Sequence, residues 1–187
     1  MLTHNQLRNG TRVEIDDQPW IIVSAQFVKP GKGQAFTKIK IKHLADGRVI
    51  ERTFKSSETV AKADVVDKVM QFLYSDGEFW HFMDPATYEQ VALGESQVGE
   101  TIDWLKEQEN YDVVLWRGKA ISVSPPPFVV LEITHCEPGV KGDTVSGATK
   151  PATLETGVTV KVPLFINQNE RIKVDTRTGD YVERAKG

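Results

Sequence analysis

The sequence is short of cysteine, of clustered histidine and of long apolar runs. Cys136 is the single cysteine in 187 residues, which excludes an intrachain disulfide framework and any multi-cysteine metal knuckle. The four histidines stand apart at positions 4, 43, 81 and 135, and His135-Cys136 has no evident third or fourth ligand. No metal is therefore expected. No apolar run approaches the ~18 residues of a membrane span, and Met1–Gly10 lacks the apolar centre of a secretory signal. The expectation is a cytoplasmic protein with no membrane contact. A basic excess is also missing: 23 Lys and Arg stand against 26 Asp and Glu, a net charge of -3. That excludes a histone-like protein that coats nucleic acid through charge alone. Hydrophobic residues at 40% and charged residues at 26% exclude wholesale disorder.

The small net charge conceals an uneven distribution. Residues 1–65 carry 11 basic and 7 acidic side chains, net +4. Residues 66–130 carry 4 and 11, net -7, and residues 131–187 carry 8 of each. Such a dipolar body presents one end to a polyanion while another end resists non-specific adhesion.

Nearly all the patterning is strand. Thr11–Ile15 and Trp20–Ala25 flank the polar turn Asp16-Asp17-Gln18-Pro19. Thr37, Ile39 and Ile41 alternate with Lys38, Lys40 and Lys42, a period of two with one apolar and one cationic face. With Val49–Phe54 beyond Asp46-Gly47, residues 1–65 predict a small barrel or sheet of about five strands. Val69–Tyr74 and Glu78–Met83 flank Asp76-Gly77, with Phe72, Tyr74, Trp80 and Phe82 on one expected aromatic face. Thr101–Gln108 reads as one or two helical turns with Ile102 and Leu105 inward. Tyr111–Trp116 and Lys119–Val123 form a hairpin around Arg117-Gly118, and Ser124-Pro125-Pro126-Pro127 stops a central strand. Phe128–Ile133, Val158–Val162, Arg171–Asp175 and Tyr181–Val182 give a third set. The second and third segments each have the size of a five-stranded oligonucleotide-binding barrel, although parts of a β-sandwich read similarly.

The most informative short motif is Lys29-Pro30-Gly31-Lys32-Gly33-Gln34. Proline restricts the backbone, and glycines open conformations closed to other residues. Lys32 is flanked by residues without side chains, so a long amine projects from a slim tip that can enter a narrow crevice. It can meet phosphates or nucleotide edges, or accept a covalent acyl group from an enzyme that recognises the tip. An ordinary turn with a solubilising lysine reads the same way. Catalysis is a weaker reading, because a solvent-exposed amine is mostly protonated and nucleophilically poor. The glycine spacing is not that of a phosphate-binding P-loop. Lys38, Lys40 and Lys42, extended by Arg52 and Lys55, form a candidate phosphate-facing stripe or else a solvated outer face. Gly142, Asp143 and Thr144 combine close backbone approach with an acceptor and a hydroxyl, which suits hydrogen-bond reading of an exposed single strand. Asp103, Glu107 and Glu109 read as helix-surface carboxylates, and no nucleophilic triad can be assigned.

Longer stretches resemble the bacterial translation elongation factor P family. They are Phe27-Val28-Lys29-Pro30-Gly31-Lys32-Gly33-Gln34-Ala35-Phe36, Arg52-Thr53-Phe54-Lys55-Ser56, and Tyr74 through Met83. Further on, Gly139 through Thr144, Lys150 through Gly157, Val160 through Ile166 and Ile172 through Tyr181 follow in the family's order. One departure is Asn169, where the pattern has glycine before Glu170. Asparagine also tolerates a left-handed backbone.

The resemblance implies an all-β chain of three small barrels in a bent, tRNA-like body. An SH3/KOW-like domain would span 1-65, and OB-folds would span 66-130 and 131-187. It implies a non-enzymatic, monomeric factor that binds the bacterial 70S ribosome between exit and peptidyl sites. There it would position P-site peptidyl-tRNA and promote peptide bonds at consecutive prolines. It further implies contacts with ribosomal RNA and, through Gly142-Asp143-Thr144, with messenger RNA. No dissociable cofactor is implied. Lys32 stands where one branch of the family carries a β-lysyl group, in some members hydroxylated as well, added by a lysine-tip modifying enzyme. The competing reading is a general RNA-binding or RNA-chaperone protein, against which the acidic middle segment argues.

Overall fold

The computed structural model describes residues 1–139 and 147–186. Three antiparallel sheets follow one another along the chain. The first contains β1 (Leu2–Thr3), β2 (Arg12–Ile15), β3 (Gln18–Val28), β4 (Phe36–His43), β5 (Val49–Lys55) and β6 (Thr59–Lys62), in the order β1-β6-β2-β3-β4-β5. This is one strand more than the sequence pattern suggests. β1 and β6 are 2 and 4 residues long, too short to display an alternation. The β2–β3 turn is tighter than expected. Asp16 and Asp17 both take positive φ, 53° and 58°, as a two-residue type I′ hairpin requires. Gln18 and Pro19 therefore belong to β3, where Pro19 stands opposite Glu14. On β4 the alternation is realised fully: Thr37, Ile39, Ile41 and His43 are buried, and Lys38, Lys40 and Lys42 are exposed.

The second sheet contains β7 (Val65–Ser75), β8 (Phe79–Met83), β9 (Gln90–Gly94), β10 (Asn110–Trp116) and β11 (Lys119–Ser124), ordered β11-β10-β7-β8-β9. The expected aromatic face is only partly formed. Phe72 opposes Phe82, with ring centroids 5.3 Å apart, and Trp80 packs against the same core. A register shift between Phe72 and Tyr74 turns Tyr74 outward, where it stacks on His81 at 4.5 Å. One extra residue in a strand reverses the side on which the next side chain emerges. Arg117 (φ 50°) and Gly118 (φ 78°) close the β10–β11 hairpin as a second type I′ turn, and β11 ends at Ser124, before the three prolines.

Between β9 and β10 lie α1 (Glu95–Val98) and a 3₁₀ turn (Gly99–Trp104). The helical segment thus begins earlier than expected. Leu105 is buried in the second core and Ile102 packs partly against it. Trp104 departs from the pattern: at 6% exposure it is buried in the core of the third sheet. No described helix is long and apolar enough to cross a membrane.

The third sheet contains β12 (Phe128–Cys136), β13 (Thr149–Leu154), β14 (Thr159–Pro163), β15 (Arg171–Asp175) and β16 (Asp180–Arg184), ordered β14-β13-β12-β15-β16. Val160 and Val162 face its core, at 4% and 0% exposure, as their alternation with Thr159 and Lys161 predicts. Asn169 has φ 70°, so it supplies the left-handed backbone of the glycine it replaces, and its N–H donates to the Ile133 carbonyl at 2.9 Å. Gly139 is required for close approach: a Cβ there would lie 2.7 Å from the Leu164 carbonyl oxygen. Each sheet curls around its own core. The edge strands β9 and β11 of the second sheet approach each other, as do β14 and β16 of the third. Among the described residues neither pair completes a hydrogen-bonded ladder.

Candidate functional site: a lysine-tipped hairpin and a cationic sheet face

β3 and β4 form the longest-reaching hairpin of the first sheet, paired out to Val28 and Phe36. Residues 29–35 connect them, and Lys29, Gly31, Lys32, Gly33 and Gln34 are exposed while Pro30 is half-buried. β5 runs beside β4 to the edge of this loop: Lys55 opposes Phe36, and the Ser56 N–H donates to the Ala35 carbonyl at 3.0 Å. Lys32 therefore stands in the exposed loop at the end of three paired strands, flanked by two glycines that carry no side chain. The glycines differ in their roles. Gly33 has φ +104°, a conformation in which an L side chain is strained, and a Cβ there would meet the Pro30 ring at 4.0 Å. Gly31 lies outside that region, and a Cβ there would meet nothing within 4 Å. Only one of the two glycines is demanded by backbone geometry.

The cationic stripe is built by register. Residues directly opposite one another in an antiparallel pair share a face. Lys38, Lys40 and Lys42 oppose Thr53, Glu51 and Val49, and Phe36 opposes Lys55. Lys55 thus lies on the lysine face. Arg52 does not: it opposes the buried Ile39 and reaches from the other face to Asp16, with Nη2 to Oδ2 at 2.6 Å. The structure brings four of the five expected cations together. Lys40 lies 3.8 Å from Glu51, both exposed. An exposed pair of this kind is worth less than ~1 kcal/mol, so it leaves the stripe available to a stronger anion.

Sequence reasoning missed the polar groups beside the lysines. Ser24 and Gln26 on β3 oppose Lys40 and Lys38. With Glu51 and Thr53 they line a shallow trough of about 290 Å³. A register shift between Ile22 and Ser24 sets their facing, and nothing in the single sequence marks that shift. Gly142, Asp143 and Thr144 lie outside the described residues. On their flanks, the buried Lys150 donates through Nζ to the Glu137 carbonyl at 2.6 Å.

Two junctions relate this hairpin to the rest of the chain. Arg117, on the β10–β11 turn, donates to Glu14 and to Asp17 (2.7 Å) beside the β2–β3 turn. Both acids, Asp17 foremost, raise its pKa, and its guanidinium lies 4.7 Å from the Trp116 ring centre. Arg12 pairs with Asp67 at 2.8 Å across the same junction. At the other junction, Thr156 donates to the Asp103 carbonyl at 2.6 Å and Lys106 pairs with Glu155 at 3.2 Å, close to the inserted Trp104.

Comparison with known proteins agrees with this arrangement segment by segment. Residues 3–60 match the family described as the elongation factor P KOW-like domain. Residues 65–123 match the elongation factor P OB domain, and residues 129–184 match elongation factor P, C-terminal. The elongation factor P of Magnetococcus marinus is 69% identical over 187 residues, covering all of both chains. Among solved structures, the eukaryotic translation initiation factor 5A from Methanococcus jannaschii is 24% identical. Its TM-score is 0.57, over 66% of this chain and 91% of that one. The translation initiation factor eif-5a family protein from Naegleria fowleri is 21% identical, with a TM-score of 0.50 over 66% and 96%. At those identities the two structures speak for the fold alone. The family matches and the full-length relative together show that the chain belongs to the elongation factor P family.

Proposed function

We propose that the chain is a translation elongation factor that binds the ribosome between exit and peptidyl sites and promotes peptide-bond formation at consecutive prolines. Family membership supports the elongation role. The observation that carries the detail is the isolated Lys32 at the end of the β3–β4 arm, beside a face that gathers four lysines. The chain is not itself an enzyme, and the bond-forming chemistry belongs to the ribosome.

The arrangement fits that task physically. Proline is a constrained secondary amine that reaches the reactive geometry poorly. A slender arm held against peptidyl-tRNA restricts its motion and lowers the entropic part of the barrier. The tip Lys29-Pro30-Gly31-Lys32-Gly33-Gln34 is narrow enough to approach the acceptor end. Lys32 is the acceptor for a β-lysyl-type extension, with or without hydroxylation, added by a modifying enzyme. Lys38, Lys40, Lys42 and Lys55 meet tRNA phosphates. Arg52, turned to Asp16, serves the sheet instead. Gly142, Asp143 and Thr144 contact messenger RNA. The domains are a KOW/SH3-like barrel over 1-65 and OB-fold barrels over 66-130 and 131-187, a reading supported by a separate core in each and, for the second and third, by approaching edge strands. The factor acts as a monomer in the cytoplasm.

Reconstituted translation of two reporters, one with consecutive prolines and one without, tests the function. The protein should raise full-length yield of the proline reporter alone. Equal yield with and without it on both reporters, alongside strong binding to free RNA, would favour the RNA-chaperone reading.

A further inference from the structure

Opposite the lysine stripe, the same arm carries a second concave surface. Phe27 and Thr37 form a directly opposed pair on the other face of β3 and β4. Together with His4, Asn5, Arg8 and Asn9 they line a groove of about 400 Å³, within the ~300–1,000 Å³ range of small-molecule sites. Its floor is held in place. The buried Thr37 hydroxyl donates to the His4 carbonyl at 3.1 Å, and the Thr3 N–H donates to Gln6 Oε1 at 2.9 Å, which fixes the 3₁₀ turn His4–Gln6 over the arm. His4 stacks on Phe27 with centroids 5.5 Å apart and planes 27° from parallel, yet Phe27 remains 56% exposed. A large aromatic ring left open at the root of a functional arm, three residues before Pro30, is not accounted for by core packing.

We propose that this groove seats one unpaired nucleobase of an RNA strand. The base stacks on the open surface of Phe27. The Asn5 and Asn9 amides offer donors and acceptors to its edge, and Arg8 meets the adjoining phosphate. Stacking on an aromatic platform beside a cation is how single strands are held without strict sequence choice. The arm would then grip RNA from two sides, by charge on the lysine face and by stacking on this one. The proposal rests on the RNA-contacting reading above and names the group that the second face takes.

Nuclear magnetic resonance titration of the full chain without ribosomes tests it, using a 5′-phosphorylated single-stranded tri-adenylate at millimolar concentration. An abasic analogue with the same phosphates is the comparison. Amide shifts at His4, Phe27 and Thr37 with the tri-adenylate, absent with the abasic analogue, are expected. Phe27→Leu should weaken binding about tenfold. Equal shifts with both ligands, shifts confined to Lys38, Lys40 and Lys42, or no shifts at all would overturn the proposal. Should Phe27→Leu fail to fold, the two ligands on the unaltered protein still decide. The titration reads the groove alone and the proline reporter reads translation, so the two readings fail separately.

Discussion

Lys32 owes its projection unequally to its neighbours. Gly33 works at φ +104°, whereas Gly31 has both open space and an ordinary backbone. Alanine at a positive φ costs on the order of 1 kcal/mol, and a free-standing loop relieves that strain by moving. Gly33→Ala should therefore re-aim the tip and lower stimulation of a proline reporter, while Gly31→Ala should leave it near wild type. Equal losses in both variants would show that flexibility alone matters. The sequence marks both glycines as turn formers but cannot rank them, because φ is set by the path from Pro30 to Ala35. Asn169 is the converse case. Its left-handed φ of 70° is legible in advance, since asparagine is among the few residues that tolerate that region.

At the scale of elements, the cationic face was legible where alternation is strict and illegible where pairing decides. Lys38, Lys40 and Lys42 follow from the period of β4 alone. Arg52 and Lys55 depend on how β5 pairs with β4, and that register separates them. Replacing Lys38, Lys40 and Lys42 together by alanine should reduce the salt dependence of ribosome binding, by a slope of up to about one per lost phosphate contact. The triple Lys→Ala variant and wild type, measured across a salt series, check this. An unchanged slope would make the stripe a solvated face.

The β7–β8 hairpin carries a pH dependence. The hydrogen bond from the His81 ring, with the N–H groups of Phe79 and Glu78, holds Asp76 down at about 2 against the ordinary 3.8. A depressed carboxyl stabilises the fold fully above its unfolded value and loses that contribution as pH falls through the folded one. The hairpin should hold its structure down to about pH 4 and loosen between there and about pH 2. Asp76→Asn should be less sensitive across that window, as read by the amide signals of Phe79 and Glu78. Tyr74 shows why the sequence misplaced one face of this hairpin: a single extra residue in β7 reverses its side, and no local preference announces it.

At the scale of the whole molecule, the three-part division was legible from turn signals, strand lengths and the proline run after Ser124. The joints were not. β12 opens at Phe128, where the pattern puts it, but β7 opens at Val65, ahead of the expected start at Val69. Trp104 belongs to one segment by sequence and to the next segment's core by packing. Such crossings depend on contacts between residues far apart in the chain, which periodicity does not encode. Arg117, held by Asp17 and Glu14, ties the second sheet to the first. Arg117→Ala should widen the distribution of angles between these sheets without unfolding either, as measured by residual dipolar couplings. An unchanged alignment would assign the junction to Arg12–Asp67 and the backbone instead.

We propose that the first sheet delivers Lys32 to the site of peptide-bond formation. The most direct measurement is the single-turnover rate of proline–proline bond formation on reconstituted ribosomes. It is made with no factor, with the wild-type protein and with Lys32→Ala, whose folding is verified by its amide spectrum. The wild-type protein should accelerate the reaction. The folded Lys32→Ala variant should bind ribosomes yet give a rate close to that without factor. Equal acceleration by both proteins would contradict it.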